Sequence, residues 1–508
     1  MFDRRNTERK RQIMMQYMHD DTEFMDLECT PTTCEPLSNV DNEEDVVEEN
    51  SGIEGYEENV VIEETLHTSS GEVVGTIYGK AGTTYFDCRV SAEHLERSEY
   101  VSVVHDDYGP VLCQVGTLVR KSNLTLEDAN DADINKIDDV VSAHVDVIGY
   151  RDNRGLLMSP RTTFRAGSKV TRADQDLVKS ILGLKINPKT DGYIGLLHGH
   201  GIPVALNINE LIQRHACILA KTGGGKSYMS GDIIEELMKH NVTCMIIDPH
   251  GEYGAMRDAG TKGEILELMR KTDMRSFLPP TKKAIETLRE EGELYSVTDL
   301  INVLKEDGGA KNAVLITELE YIDSMGIFAK RGNRIDELVE NGKTTIINLK
   351  GVPPDIQQLI VKRLATFMFE LRKKGSIPPM MFVVEEAHNY CPQAEHVMSS
   401  KPLATIASEG RKFGLGLMVI SQRPAKIDKN VLSQCGTQII LKVTNPNDLK
   451  AITASIEGLT TGMSDDIQSM PIGMAMVVGA GIESPLLVEV RPRESRHGGA
   501  GVKILGDD

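Results

Sequence analysis

The stretch Ala220-Lys221-Thr222-Gly223-Gly224-Gly225-Lys226-Ser227 decides how the rest of the chain is read. It follows an apolar run, His215 to Ala220. It precedes a segment, Lys226 to His240, in which Met229, Ile233, Leu237 and Met238 fall on one helical stripe. Strand, glycine-rich loop and helix form the context that a phosphate-binding loop requires, and that context argues against a mere flexible turn. Consecutive glycines let backbone N–H groups curl around a β-phosphate without a Cβ clash. The helix N-terminus adds the positive end of a dipole. Lys226 would reach the β- and γ-phosphate oxygens and the Ser227 hydroxyl would ligate Mg²⁺, so the loop predicts ATP and Mg²⁺ as ligands.

Outward from this loop, apolar runs alternate with helical patterns. Val242 to Ile247 ends at Asp248, and Thr344 to Leu349 leads to a long helical segment, Asp355 to Lys374, with Ile356, Leu359, Ile360, Phe367 and Leu371 on its inner side. Met381 to Val384, Leu415 to Ile420 and Thr437 to Val443 follow. This rhythm predicts an α/β fold, a parallel sheet with helices on both faces, over about 171–492. A charged, helix-rich insertion is expected at about 254–342, covering the sheet rather than joining it. Gly473 to Gly479 and Leu486 to Arg491 read as a closing antiparallel hairpin, and 493–508 as a flexible tail. Upstream, between about 71 and 170, short β-type runs such as Val73 to Tyr78, Tyr100 to Val104, Val111 to Val119 and Ala143 to Ile148 predict a small barrel or sandwich.

The net charge of −20 comes almost entirely from one segment. Gln12 to Thr65 holds 17 Asp or Glu and no Lys or Arg. Residues 1–68 are therefore expected to be a disordered acidic arm, either a solvated tail or a segment that mimics DNA or binds a partner. The near-neutral remainder leaves room for a basic surface that takes nucleic acid. Eight cysteines without a CxxC pair exclude a disulfide scaffold and disfavour a zinc ribbon. The longest uncharged apolar stretch, Met470 to Ile482, is too short for a bilayer, and the N-terminus lacks a signal-peptide pattern, so a cytoplasmic protein without membrane partners is expected.

A phosphate loop needs an acidic strand end beside it. Two candidates present themselves, Asp248 in Asp248-Pro249-His250-Gly251-Glu252-Tyr253, and the pair Glu385-Glu386 after Met381-Phe382-Val383-Val384. The pair is favoured, because it offers one carboxylate to the Mg²⁺ shell (Glu385, through water) and its neighbour to the attacking water (Glu386, as general base). Asp248 either touches the metal's water shell or forms the turn before Pro249. His250 and His388 lack a second ligand set and read as turn residues. An extra strand between the loop and the acidic pair is expected in hydrolysing motor ATPases.

The run Leu415 to Ile420 ends in Ser421-Gln422-Arg423-Pro424, where Gln422 would sit beside the γ-phosphate; an ordinary strand-end amide is the alternative. Gly410-Arg411-Lys412-Phe413-Gly414 precedes the same run. It stands at the wrong end of its strand to reach the loop of its own subunit, but in a ring it would reach a neighbour's nucleotide. Arg411 is thus a candidate arginine finger acting in trans, the alternative being a solvated basic turn. Arg214, just before the loop strand, is a further candidate for phosphate. Gripping of DNA cannot rest on Trp, since there is none, which favours backbone contacts with duplex over base stacking. Basic residues around Arg372-Lys373-Lys374 are candidates for such contacts.

These residues, in this order, resemble HerA, the prokaryotic hexameric DNA-translocating ATPases related to the FtsK motors. The resemblance rests on Tyr193-Ile194-Gly195 with Ile202-Pro203-Val204, Arg214-His215, Lys221 to Tyr228, Asp248 to Tyr253, Glu385-Glu386-Ala387-His388, Gly410 to Gly414 and Ser421 to Pro424, over about 70–495. It implies an N-terminal β-barrel like that of rotary ATP synthases and a RecA-like P-loop ATPase core with a helical insertion. It also implies a hexameric ring acting as DNA helicase or translocase, and a NurA-type nuclease partner in the resection of DNA ends. Carried onto this chain, nucleotide contacts fall on Thr222, Gly223, Gly224, Gly225, Lys226, Ser227, Tyr228 and Arg214. Metal contacts fall on Ser227 and Glu385, and catalysis on Lys226, Glu386, Gln422 and Arg411. The acidic arm lies outside the family pattern, and Glu-Glu stands where most motor ATPases carry Asp-Glu. The rival readings are a nucleotide-dependent DNA clamp or nuclease-recruiting module that does not translocate, and a DNA-pumping ATPase of a defence or conjugation system.

Overall fold

The computed structural model describes residues 71–91, 95–122, 139–254, 256, 264–268, 288, 296–307, 311–324, 338–455 and 461–495. The acidic segment 1–68 and the chain beyond Ser495 lie outside them.

Strands β1 (Val73–Ala81), β2 (Tyr85–Val90), β3 (Tyr100–His105), β4 (Gly109–Ser122), β5 (Asp139–Arg151), β6 (Leu157–Met158) and β7 (Lys169–Arg172) come first. Their order is β2-β1-β7-β3-β4-β5, with β6 beside β5, and a further β2–β5 pairing closes the ring. The structure thus chooses the barrel over the sandwich, and closure removes the exposed edges an open sheet would leave. Val74, Phe86, Val101, Val111 and Val145 fill its interior. Tyr100 and Leu112 instead join the core of the following domain, together with Val178, Ile181 and Leu182 of helix Gln175–Leu182.

The second sheet comprises β8 (Asp191–Leu197), β9 (Pro203–Asn207), β10 (Ala216–Leu219), β11 (Thr243–Asp248), β12 (Glu264–Leu268), β13 (Lys343–Asn348), β14 (Met380–Val384), β15 (Leu415–Ser421), β16 (Thr437–Ile440), β17 (Met474–Gly479) and β18 (Ile482–Val490). Its order is β12-β13-β11-β14-β15-β10-β16-β17-β18-β8-β9. From β12 to β16 the pairings are parallel, and from β16 to β9 antiparallel. Every residue of β10, β11, β14 and β15 is buried, as expected for parallel strands covered on both faces.

Several expectations change. The stretch expected to contribute only covering helices supplies edge strand β12, paired in parallel with β13. The motif around Tyr193 and Ile202 is a hairpin, β8–β9, that extends the sheet beyond β18. Gly195 is required there, because a Cβ would stand 2.0 Å from the Glu489 carbonyl oxygen. Helix Pro354–Lys373 turns Ile356, Ile360, Val361, Ala365, Met368 and Phe369 inward and leaves Phe367 52% exposed, one position off the expected stripe. Helices Val297–Glu306 and Ala313–Ser324 belong to a separate compact unit, built on Leu300, Ile301, Leu304, Ile316 and Leu319 and begun by a Ser296–Asp299 capping box.

The phosphate-loop helix, Lys226–Lys239, is buried all round from Met229 to Met238, its acidic residues included. An amphipathic stripe does not anticipate this. Arg491, just after β18, donates to Glu235 (2.9 Å) and Glu236 (3.0 Å). Glu235 also receives the N–H of Glu494 (3.1 Å) and of Ser495 (2.7 Å). The first residues of the expected flexible tail are therefore docked on this helix. The carboxylate oxygens of fully buried Asp232 take no hydrogen bond among the described residues. Burial pushes its carboxyl up to about 7, against the pull of Arg491.

Candidate active site

β10 runs directly into the glycine-rich loop, and the loop into the helix N-terminus. The Ala220 N–H donates to the Ser421 carbonyl (3.2 Å) and the Lys221 N–H to the Lys442 carbonyl (2.9 Å), which ties the loop to the ends of the flanking strands. Gly223 (φ +72°) and Gly225 (φ +93°) occupy the left-handed region. Gly224 has no room for a side chain, since a Cβ would meet the Lys221 carbonyl oxygen at 2.9 Å. All three glycines are thus required by the backbone itself, and the loop opens at the carboxyl end of the parallel strands, where α/β sheets bind ligands.

Strand β15 lies between β10 and β14, so one strand separates the loop from the acidic pair. Lys226 Nζ bridges that gap, donating to Glu385 Oε1 and to Glu386 Oε1 (3.0 Å). Burial opposes the lysine's charge, but the two carboxylates outweigh it and hold the ammonium above its ordinary range. Glu385 is fully buried, which raises its carboxyl; Lys226 and Tyr253 offset part of that rise. The Tyr253 hydroxyl donates to Glu385 Oε2 (2.7 Å) and stands 2.7 Å from Ser230 Oγ on the loop helix. Both oxygens of Glu385 are thus engaged.

Glu386 differs from its neighbour. Its backbone is left-handed (φ +50°, ψ +44°), a conformation costing a non-glycine residue about 1 kcal/mol and concentrated at functional sites. Oε2 lies 3.3 Å from His388 Nδ1 yet takes no hydrogen bond among the described residues. His388 Nδ1 is also 3.0 Å from Ser421 Oγ. Burial lowers the His388 pKa despite the pull of Glu386. At the end of β15, Gln422 Oε1 accepts the Thr222 hydroxyl, which brings the strand-end amide onto the loop. Tyr228 follows Ser227 on the helix, and its hydroxyl oxygen accepts the Arg493 N–H. The Arg493 guanidinium reaches the Ser227 carbonyl at 3.3 Å.

Asp248 has the partners of a turn-former. Oδ1 accepts the N–H groups of His250 (3.2 Å), Gly251 (2.8 Å) and Glu252 (3.1 Å), and Oδ2 that of Tyr253 (3.0 Å). It is the turn-former, and the turn it builds aims Tyr253 at Glu385. Burial raises its carboxyl, with the four N–H groups pulling the other way. Among the described residues no group of three or more His, Cys, Asp or Glu could hold a metal, and His250 and His388 have the turn positions described.

Arg411 sits in the turn Gly410–Phe413, exposed, at the amino end of β15. Seven strand residues separate it from Gln422, about 20 Å at 3.3 Å per residue. Arg214 likewise precedes β10, at the opposite end of that strand from the loop, with Nε 3.5 Å from Glu210. Within one chain both arginines thus lie at the strand ends away from Lys226. Sequence reasoning gave no role to Tyr253 or Arg493 and read His388 only as a turn residue. Tyr253 is a large aromatic five residues past a strand end, an unusual place to bury one, and offered the only signal.

Residues 193–315 match the family described as "Helicase HerA, central domain". The chain is 28% identical to "Probable DNA double-strand break repair helicase HerA" of Methanocaldococcus jannaschii, covering 85% of this chain and 98% of the relative. It is 27% identical to "DNA double-strand break repair helicase HerA" of Saccharolobus solfataricus (86% and 95% covered) and of Pyrococcus furiosus (86% and 95%). The likeness first read from short motifs extends along most of the chain.

Proposed function

We propose that this chain, similar to the HerA helicases over nearly their full length, is an ATP hydrolase that drives DNA translocation in a homo-hexameric ring, in the cytoplasm. The carrying observation is the split site. Lys226, Glu386 and Gln422 converge at one end of the sheet. Arg411 stands exposed at the other end. A site with all four needs two copies of the chain.

Within such a site the loop amides and Lys226 bind the phosphates of ATP. Glu386, through its uncommitted oxygen, accepts a proton from the attacking water. Gln422 orients that water or senses the γ-phosphate, and Arg411 of the next subunit stabilises charge on the transferring phosphoryl group. The oxygen donors suit Mg²⁺, a hard cation. Ser227 would hold it directly and Glu385 through water, since both Glu385 oxygens already have partners, and the ion would neutralise phosphate charge. DNA would be gripped through its phosphates, with strong salt dependence and little sequence preference. The relatives' names support break repair as the setting, and a NurA-type nuclease partner in end resection is part of the proposal.

The test is the ATPase rate with and without duplex DNA, on material whose mass in solution is known. DNA-stimulated hydrolysis by a hexamer supports the motor; full-rate hydrolysis by a single copy ends it. The clamp remains the second reading, because Lys226 is already held by two carboxylates whether or not work is done. Unaltered DNA unwinding by a Glu386→Gln protein would favour it. No helix among the described residues is long and apolar enough to cross a membrane, and nothing specific favours a conjugation pump.

A further inference from the structure

His215 is buried (3% exposed) and sits at the mouth of β10 with its backbone left-handed at φ +55°. A β-type conformation would be expected immediately before a strand, so a specific requirement holds it there. Its ring reaches across to β15, where Nδ1 accepts the Leu417 N–H (2.9 Å), while its own carbonyl accepts the N–H of Thr437 (3.1 Å), the first residue of β16. One residue thus fastens three neighbouring strands at the edge away from the phosphate loop.

The other side of the ring faces the arginine turn. Gly410 opens that turn, and a Cβ there would stand 3.5 Å from His215 Cε1 and 2.5 Å from the Leu415 carbonyl oxygen. The Ala407 backbone, at the end of helix Ser400–Glu409, also contacts the ring, and Arg411 is close enough to disfavour its protonation. Burial, with Arg411 adding to it, pushes the imidazole down to about 4, so at neutral pH it is uncharged and does not repel the guanidinium. The far side of the turn is held by Arg372, whose Nε donates to the Phe413 carbonyl (2.8 Å). His215 thus links the turn to the strand carrying the phosphate loop.

We propose that His215 is a positioning residue for Arg411, setting the height of the arginine turn against β10 so that the guanidinium reaches the neighbouring subunit's nucleotide. This rests on the trans reading of Arg411 given above. A displacement of about 1 Å in a catalytic group costs about 100-fold in rate. His215→Ala removes the acceptor for Leu417 and opens space beside Gly410. His215→Asn retains an acceptor near the position of Nδ1, and Asn tolerates left-handed backbone.

The test uses full-length protein and mixed subunits. His215→Ala alone should lose about 100-fold in kcat while ATP binds within about twofold of wild type, and His215→Asn should keep most of the rate. Mixing His215→Ala with Glu386→Gln should restore activity above either alone, because the first supplies an intact loop side and the second an intact arginine side. Mixing His215→Ala with Arg411→Ala should restore nothing, since both fail on the same side. A wild-type rate for His215→Ala overturns the proposal. So does a failure of Glu386→Gln to rescue it in conditions where Glu386→Gln rescues Arg411→Ala. If Glu386→Gln fails to rescue Arg411→Ala as well, the trans assignment itself falls and takes this proposal with it.

Discussion

Lys226 and Glu386 are joined by a hydrogen bond of 3.0 Å between Nζ and Oε1, while Glu386 Oε2 stays buried and unengaged. One carboxylate thus balances the lysine and still keeps a lone pair for a water. Glu386→Gln keeps the shape and removes the base. Its kcat should fall by about 10²- to 10⁴-fold with ATP binding retained, read by steady-state hydrolysis and nucleotide titration. A rate within a few-fold of wild type would remove Glu386 from the chemistry.

Gln422 holds the Thr222 hydroxyl, so the end of β15 is in register with the loop. Gln422→Ala should lower kcat by about tenfold or more and change the KM for ATP by no more than about threefold, the pattern of a group acting mainly in the transition state. An ordinary strand-end amide would leave both constants where they are.

Asp248 is fully buried and holds four backbone N–H groups, that of buried Tyr253 among them, in a turn whose His250 is exposed. Asp248→Ala strands those donors, and an unsatisfied buried donor costs about 1–3 kcal/mol. The expected result is a fall in Tm of about 5 °C or more, with the Mg²⁺ concentration needed for nucleotide binding unchanged. A raised Mg²⁺ requirement at an unaltered Tm would return Asp248 to the metal shell.

Asp232 gives a pH dependence whose sign follows from its direction of shift. Its folded pKa, about 7, lies above the ordinary carboxylate value, so the contribution to stability is complete below that ordinary value and is lost as pH rises towards 7. Asp232→Asn should therefore raise Tm at pH 8 and leave it almost unchanged near pH 4, as thermal melts at both values would show. A lower Tm at pH 8 would mean that attraction to Arg491 outweighs burial.

The parallel strands and the phosphate loop were legible because their signals are local. A run of four to six apolar residues ending in Asp248, Glu385 or Ser421 needs no knowledge of distant chain. What was not legible depends on partners far away in sequence. The acidic residues of helix Lys226–Lys239 look solvent-facing until Arg491 arrives from the other end of the chain. Arg214 is twelve residues from Lys226 in sequence, but the intervening strand β10 carries it to the opposite end of the strand. Asp-Pro-His-Gly spells equally well a metal-shell carboxylate and a turn, and the four N–H groups converging on Asp248 supply the turn. Phe367 fits the apolar period of its helix within one position, which is the precision that periodicity alone allows.

Hairpin β8–β9 finds its neighbour in β18, so it waits for a strand made about 275 residues after Asn207. At ribosomal rates of about 5–20 residues per second, the intervening stretch takes some tens of seconds to emerge. Throughout that interval the free edge of β8 is a sticky template for any extended segment nearby, including that of another nascent copy. Newborn chains should therefore depend on chaperones, and products truncated before Ile482 should accumulate as aggregates rather than as smaller soluble ATPases.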